Sequence, residues 1–148
     1  MKVHKNKSDD LCSAITRSLG ICQRCQTVLP FKQLHTSHFI SRKYSWTRTD
    51  LDNVTCLCPS CHAKVEHNAP MHVAWFIELR GQEVHDEVLR KFHTHAEVRM
   101  KFDWEVERSR LEGIAKVILS TGTWSRDGHS TSVSFDAEQR LRGLVRKS

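Results

Sequence analysis

Residues 22–62 read CQRCQTVLPFKQLHTSHFISRKYSWTRTDLDNVTCLCPSCH. The stretch opens with one cysteine pair, Cys22 and Cys25, and closes with a second, Cys58 and Cys61, both spaced C-x2-C. Zinc prefers a tetrahedron of thiolates, and one C-x2-C turn places two sulfurs at two of its corners. The two pairs therefore predict a closed four-cysteine zinc site with a structural role.

Between the cysteine pairs lies an insert that is long enough to carry a second site. It spans residues 26–57, more than the ~15–20 residues of a simple zinc ribbon. It contains His38 and Asn53, and His62 directly follows the last cysteine. Taken singly, a strand histidine, a turn asparagine and a surface histidine are routine structural residues. Their joint spacing between two cysteine pairs is what indicates a functional motif.

Local patterns around the insert predict two strands and a short helix. Residues 34–40 form the first predicted strand, which carries His38. Residues 54–57 form the second and directly follow Asn53. A proline is favourable at the start of a helix because its missing N–H would be unpaired there. Pro59 therefore predicts a helix that runs to about residue 66 and contains His62.

The order of His38, Asn53 and the sequence CPSCH at 58–62 resembles the zinc-containing branch of the HNH endonucleases. Within that branch, SHFISR at 37–42, Thr47-Arg48 and Asn53 resemble the phage NinG/Rap recombination nucleases. The layout is also similar to endonuclease VII, a phage resolvase of Holliday junctions. The resemblance implies an α+β protein with a zinc-stapled ββα-metal core. The periodic patterns after residue 67 predict a largely α-helical C-terminal part.

The resemblance also implies roles for individual residues. His38 would be the general base that activates a water molecule, and Asn53 would orient His38 and hold the loop between the two strands. His62 would bind the catalytic divalent cation, Mg²⁺ or Mn²⁺. The products would carry 5′-phosphate and 3′-hydroxyl ends.

The predicted catalytic metal site is short of one ligand. Many HNH enzymes carry an aspartate or histidine just before the base, where this chain has Ser37. Glu66 lies one helical turn beyond His62, and His67 follows it, so both are close enough to His62 to share a metal with it. Glu66 and His67 are therefore the candidates for the missing ligand.

A basic balance favours a polyanionic partner. The net charge is +6, and basic side chains neutralise DNA phosphates without reading the base sequence. The resemblance and proximity to the motif single out four such residues: Arg42, Lys43, Arg48 and Lys64. His35 and Trp46 are candidates to insert or stack near a branch point.

These observations predict a metal-dependent DNA endonuclease that acts on branched or Holliday-junction DNA in phage-type recombination. Two alternatives stay open. One is a nicking or double-strand HNH endonuclease of the homing, restriction or packaging kind. The other is a zinc module that binds nucleic acid without catalysis.

The chain is predicted to fall into three parts. Residues 1–67 form the nuclease core with an N-terminal helix, which is capped by Ser8 and packs on the zinc core. Residues 68–120 form helices, including one from Asn68 to Gly81 and a long one over about 95–119. Residues 121–148 form a Gly/Ser/Thr-rich loop and a short helix from about Asp136. Since a resolvase cuts two strands in step, we expect a homodimer built from the helices after residue 67.

The remaining sequence features bear on the compartment. Met1 to Asp10 holds no apolar segment of the secretory type, and no apolar run approaches the ~18 residues needed to span a membrane. We therefore expect a cytoplasmic protein, in a bacterial host if the gene is carried by a phage. In such a protein the unpaired Cys12 and Cys56 are expected to be buried thiols.

Overall fold

The computed structural model describes residues 5–97 and 101–147 of the chain. This part holds seven helices and two antiparallel two-stranded sheets, which confirms the predicted α+β class. In chain order, the elements are α1 Lys7–Arg17, a 3₁₀ turn Phe31–Gln33, β1 His35–His38, α2 Ser45–Arg48, β2 Val54–Leu57, α3 Pro59–Glu66, α4 Ala69–Arg80, α5 Gln82–Glu97, α6 Trp104–Thr121, β3 Thr123–Arg126, β4 His129–Ser132 and α7 Phe135–Leu144.

The centre of the fold is the β1–β2 hairpin with α3 packed on it. The strands pair from His35 opposite Leu57 to His38 opposite Val54. β2 and α3 have the predicted bounds, but β1 is shorter than the predicted strand 34–40. At Ile40 the backbone bonds to the side chain of Asn53 instead of a strand, so the ladder ends there.

The N-terminal helix starts earlier than predicted. Asn6, not Ser8, is the N-cap, and its side chain and backbone exchange hydrogen bonds with Asp9 in a capping box. An asparagine cap with an acidic partner three residues later satisfies two backbone donors at once, which fixes the start of the helix. Ser8 is buried inside the first turn.

Helix α1 packs on the hairpin of the predicted core, as expected, and also on the C-terminal helices. Its stripe with Leu11 and Ile15 is fully buried and packs against α6 and α7, where it meets Leu111, Ile118 and Leu141. Its other side lies against the β1–β2 hairpin. α1 therefore sits between the hairpin and the C-terminal helices rather than on the cysteine cluster.

Helix α4 agrees with the sequence-based prediction. The Asn68 side chain accepts a hydrogen bond from the Met71 amide at 3.0 Å, Pro70 lies in the first turn, and the helix ends at Gly81. The φ angle of Gly81 is 92°, a left-handed value that favours glycine.

The predicted start of the long helix over 95–119 is wrong. Residues 95–97 belong to α5, and α6 begins only at Trp104. The Asp103 side chain accepts from the Glu105 and Val106 amides, both at 3.1 Å, and this capping sets the start of α6. Val98 and Arg99, which the prediction placed in this helix, lie outside the described residues.

The segment predicted as a loop after residue 121 is instead a β-hairpin. Its two-residue turn is Asp127-Gly128, with φ angles of 49° and 82°. Both values are left-handed, which is the backbone that a tight hairpin turn requires and that Asp-Gly supplies. Trp124 of β3 packs against the core. Ser134 is the N-cap of α7, and the helix begins at Phe135, one residue before the predicted start at Asp136.

None of the helices in the part of the chain described here is both long and apolar enough to cross a membrane.

Candidate functional site

The first cysteine pair is held by the backbone and by Gln23. Cys22 N–H donates to the Thr27 carbonyl at 2.9 Å, and Gln26, with a left-handed φ of 62°, donates to the Cys22 carbonyl at 2.8 Å. The buried Gln23 bonds to the backbone of Cys56 through both its N–H and its side-chain oxygen. These bonds attach the turn of the first pair to strand β2.

The second cysteine pair sits where β2 passes into α3. Cys58 is the N-cap of α3, and its sulfur accepts from the Cys61 amide at 3.4 Å. Proline at the first position of the helix fixes its start. The two sulfurs of this pair therefore face the first pair from the end of a helix.

The four sulfurs form a ready metal site. They lie within 4.8 Å of one another, and Cys25 Sγ is 3.8 Å from Cys58 Sγ. Tetrahedral zinc with Zn–S bonds of about 2.3 Å places its sulfurs roughly 3.8 Å apart. Burial raises the pKa of the Cys61 thiol to about 12 because a buried thiolate is unfavourable. A bound cation stabilises the thiolate and removes this cost. The donor set and its spacing fit a structural metal such as zinc.

The other two cysteines are separate from this cluster. Cys12 and Cys56 are buried and free, as expected from the sequence. Burial raises the pKa of each thiol to about 12, so both are neutral at physiological pH.

His38 is the last residue of β1 and is held in one tautomer. Its Nε2 lies 2.9 Å from the Arg48 carbonyl oxygen. A carbonyl can only accept, so Nε2 carries the hydrogen and Nδ1 carries the lone pair. Among the described residues, Nδ1 has no hydrogen-bond partner. Burial lowers the pKa of His38, partly offset by the bond to Arg48, so the ring is neutral near pH 7.

Asn53 fixes the loop that holds His38. Its side chain is fully buried, accepts from the Ile40 amide at 2.7 Å, and donates to the carbonyls of Ile40 at 3.0 Å and Thr47 at 2.9 Å. Thr47 precedes Arg48, whose carbonyl contacts His38. Asn53 is therefore placed to orient His38 through the loop backbone.

Arg48, predicted to contact DNA, is placed differently. Its side chain is 8% exposed, and its Nε and Nη2 bond to the two carboxylate oxygens of Asp9, each at 2.7 Å. The guanidinium also lies over the Trp104 ring, 4.5 Å from its centroid. Because the intramolecular contacts engage this side chain, we assign Arg48 a positioning role: its carbonyl holds His38 and its side chain joins the loop to α1.

His62 lies on α3 between two polar neighbours. Its Nε2 is 2.9 Å from Glu66 Oε1, and its Nδ1 is 3.0 Å from Nδ1 of His35 on β1. Burial lowers the pKa of His62, and the Glu66 carboxylate opposes this shift. His67 is the exposed C-cap of α3 and does not line the cavity around His62. The structure thus brings Glu66, but not His67, to the predicted metal ligand.

One cavity of about 760 Å³ joins these groups. Residues of α1, β1, α3 and α4 line it, including His38 and His62. Arg42 lies in its wall, and so does His72 of α4, whose Nε2 is buried without a hydrogen-bond partner in the described part of the chain. The predicted base and the predicted metal ligand therefore face the same space. Donors of imidazole and carboxylate type suit a divalent cation there.

Three of the predicted DNA contacts are exposed. Arg42, Lys43 and Lys64 all reach solvent, Arg42 from the cavity wall and Lys64 from α3. Trp46 does not have a free ring: it stacks on His95 with ring centroids 3.7 Å apart and meets Phe102 edge-on. Stacking of Trp46 on a DNA base would first require these contacts to break.

Sequence reasoning missed the contacts made across the fold. The closeness of His35 to His62 and of Asp9 to Arg48 links elements that are far apart in the chain. The first contact follows from strand pairing, since His35 lies opposite the last residue of β2, just before α3 begins. No local pattern marked Asp9 as more than a first-turn acid.

Residues 22–68 match the family model described as HNH endonuclease. No curated protein and no solved structure matches the chain. The matched segment contains both cysteine pairs, His38, Asn53 and His62, and it supports a nuclease function. The likeness to NinG/Rap nucleases and to endonuclease VII stays a prediction.

Proposed function

We propose that the protein is a metal-dependent DNA endonuclease that hydrolyses phosphodiester bonds in the cavity between β1 and α3. One observation carries the proposal. His38, whose lone pair is on Nδ1, lines the same cavity as His62, within a segment that matches the HNH endonucleases.

His38 is the general base of the proposed reaction. Its neutral ring takes a proton from water at Nδ1, and the water oxygen attacks the phosphorus. The bond from Nε2–H to the Arg48 carbonyl becomes stronger once the ring is charged, so the same contact that sets the tautomer stabilises the imidazolium. Asn53 contributes by fixing the loop that carries this carbonyl.

The cation is proposed to bind at His62, with Mg²⁺ and Mn²⁺ as the candidates from the family resemblance. When bound, it would polarise the phosphate and stabilise the charge on the leaving 3′ oxygen. The cysteine cluster is proposed to hold zinc and to fix the hairpin and α3 relative to each other, without a part in the chemistry.

The proposed substrate is branched DNA, cut during recombination of the phage type by a homodimer. The SHFISR sequence at 37–42 supports this through its resemblance to NinG/Rap nucleases. Arg42, Lys43 and Lys64 are the exposed cations available to contact phosphates.

The test is cleavage of a four-way junction, a linear duplex and single-stranded DNA with Mg²⁺ or Mn²⁺. We expect cutting of the junction and a loss of about 10²–10⁴-fold in rate for His38→Ala. The matched control is His93→Ala, since His93 is an exposed histidine of α5 outside the cavity. Circular dichroism checks that both variants fold.

Each proposal can fail separately. Equal cutting of all three substrates would reject the preference for branched DNA. An unchanged rate in His38→Ala would reject the base. Binding of DNA without cleavage of any substrate would favour a non-catalytic zinc module. A monomer in sedimentation at micromolar concentration would reject the homodimer.

A further inference from the structure

We infer that His35 supplies a second nitrogen ligand to the catalytic cation, so that the ion sits between the Nδ1 atoms of His35 and His62, and that Glu66 orients His62 instead of binding the metal. The inference rests on the proposed nuclease function and deepens it. It also predicts that the site prefers a transition-metal ion such as Mn²⁺ over Mg²⁺.

The contact with Glu66 determines which ring nitrogen of His62 carries the hydrogen. Its Nε2 lies 2.9 Å from a carboxylate oxygen of Glu66, and an ionised carboxylate only accepts hydrogen bonds. Nε2 therefore carries the hydrogen, and in the neutral ring the lone pair is on Nδ1. A histidine that donates its outer N–H to a carboxylate while its other nitrogen binds a metal is a recurrent arrangement in metalloproteins.

With its lone pair on Nδ1, His62 accepts a hydrogen bond from Nδ1–H of His35. Metal binding would replace this bond, with the His35 hydrogen moved to Nε2 so that both Nδ1 atoms offer a lone pair. The two Nδ1 atoms are 3.0 Å apart, and the rings meet edge-on with an interplanar angle of 82°. Two nitrogens bonded to one metal at about 2.0–2.1 Å lie roughly 2.9–3.4 Å apart when they occupy neighbouring coordination positions. The observed spacing is thus suitable for two ligands of one ion. His35 is exposed and lines the cavity.

Strand register explains why His35 can take this role and Ser37 cannot. Residues two apart on a strand share a face, so both lie on the same face of β1. Ser37 is buried, and its hydroxyl has no hydrogen-bond partner in the described chain and lies outside the cavity lining. His35 pairs with Leu57 at the end of β2, and α3 starts two residues later, which brings His62 alongside. His35, two residues before Ser37, would therefore supply the metal ligand that Ser37 does not.

The donor atoms determine which ion is favoured. Imidazole nitrogen suits first-row transition metals, whereas Mg²⁺ prefers oxygen ligands. The cysteine cluster is the only set of three or more gathered metal-binding side chains in the described residues, so the His35–His62 pair leaves the other coordination positions to water and phosphate. An ion with open positions is what phosphodiester hydrolysis requires.

The experiment is a titration of the zinc-loaded protein with Mn²⁺, with free Mn²⁺ followed by electron paramagnetic resonance. Mn²⁺ does not compete with zinc for thiolates, so the cysteine site stays filled. We expect one Mn²⁺ site, weakened at least tenfold in His35→Ala and unchanged in the control His93→Ala. Competition with Mg²⁺ should displace Mn²⁺ only at a large excess. Retention of wild-type Mn²⁺ affinity in His35→Ala, or equal affinity for Mg²⁺, would overturn the inference.

Two variants of Glu66 separate orientation from ligation. Glu66→Gln keeps an oxygen that accepts from His62 Nε2, so Mn²⁺ affinity should fall by less than about threefold. Glu66→Ala removes the acceptor and should cost about 10–100-fold. Equal, large losses in both variants would show that Glu66 is a direct ligand and would overturn this part.

Cleavage assays on the same samples distinguish this inference from the nuclease proposal. If the wild type cleaves DNA and His35→Ala binds Mn²⁺ normally, the inference about His35 is rejected and the nuclease proposal is retained. Specific Mn²⁺ binding that depends on His35, without cleavage of any DNA, would support the metal site and reject the nuclease.

Discussion

At the scale of single residues, Asn53 shows how one buried amide can fix the loop that holds His38. It uses its acceptor and both of its donors on the backbone of a loop. Aspartate has no side-chain donors when ionised, and a hydrophobic residue would leave three backbone groups unpaired. Asparagine is therefore the residue type that this position needs.

Replacement of this residue tests the role directly. We expect Asn53→Ala to lower the free energy of unfolding by about 2–4 kcal/mol, since buried backbone groups lose their partners. Cleavage should fall together with stability because the Arg48 carbonyl loses its support. Urea unfolding gives the first quantity. The control Asn68→Ala removes an exposed helix cap and should cost only about 1 kcal/mol; similar costs for both variants would contradict the proposed role.

If His38 is the proposed base, its pKa should set the pH dependence of activity. Its pKa lies below the ordinary value of 6.5, chiefly because of burial. A general base works in its neutral form, so kcat/KM should stay level as the pH falls to about 6.5 and drop only below this value. A pH–rate profile measures the midpoint, and a ¹⁵N NMR titration of the His38 ring should give the same one. A midpoint above 6.5 would contradict the assignment.

At the scale of elements, the cysteine cluster joins the turn of the first pair to α3. Cys58 is both a predicted ligand and the cap of α3. A core of this size buries little apolar surface, so we expect a metal bound by the four sulfurs to contribute much of its folding free energy. The geometry of His62 on α3 thus depends on the cluster.

Loss of one cysteine sulfur should therefore lower the stability of the whole core and not only disrupt the metal site. We expect Cys58→Ser to lose bound zinc and to unfold at a clearly lower temperature than the wild type. Metal content by mass spectrometry and thermal unfolding by circular dichroism are the measurements. Cys12→Ala is the control, because this buried thiol lies outside the cluster and its loss should leave the zinc content intact. Full zinc content in Cys58→Ser would rule out the four-sulfur site.

Local signals explain which elements the sequence predicts well. β2, α3 and α4 have their caps, prolines and glycines at the expected places, so their bounds follow from neighbouring residues alone. The end of β1 depends on a hydrogen bond from Asn53, and the start of α1 on Asn6. The β3–β4 hairpin carried its own signal, Asp127-Gly128, which the Gly/Ser/Thr-rich composition obscured.

In the candidate site, too, some features follow from the local sequence and others only from contacts across the fold. The residue types at 38, 53 and 62 and the four cysteines are predictable because they form one contiguous pattern. The pairing of His35 with His62, and of Arg48 with Asp9, arises only when separate elements pack together. The residue types of the candidate site therefore follow from the sequence, whereas the bond between Arg48 and Asp9 does not. The role of Arg48 in DNA binding stays a prediction.

At the scale of the whole molecule, the Arg80 side chain attaches α4 and the β3–β4 turn to the segment that matches the HNH model. The Arg80 side chain of α4 is 3% exposed, bonds to Asp127 in the β3–β4 turn, and donates to the carbonyls of Leu51 and Asp52 in the loop before β2. One guanidinium thus connects a helix, a loop and a hairpin.

Removal of this guanidinium should destabilise the protein strongly. We expect Arg80→Ala to cost about 3–5 kcal/mol, because Asp127 would stay buried without its cation. The control Arg142→Ala breaks an exposed pair with Glu138 on α7 and should cost less than about 1 kcal/mol. Urea unfolding compares the two; a cost for Arg80→Ala as small as that of the control would show that the pair has no such role.

The contact between Asp9 and Arg48 has a practical consequence for protein engineering. The segment that matches the HNH endonucleases starts at residue 22, yet the carboxylate that holds Arg48 belongs to a helix upstream of it. A chimera that transplants only 22–68 onto a new DNA-targeting scaffold would separate Arg48 from that carboxylate and loosen the carbonyl behind His38. A functional graft must therefore carry α1 as well.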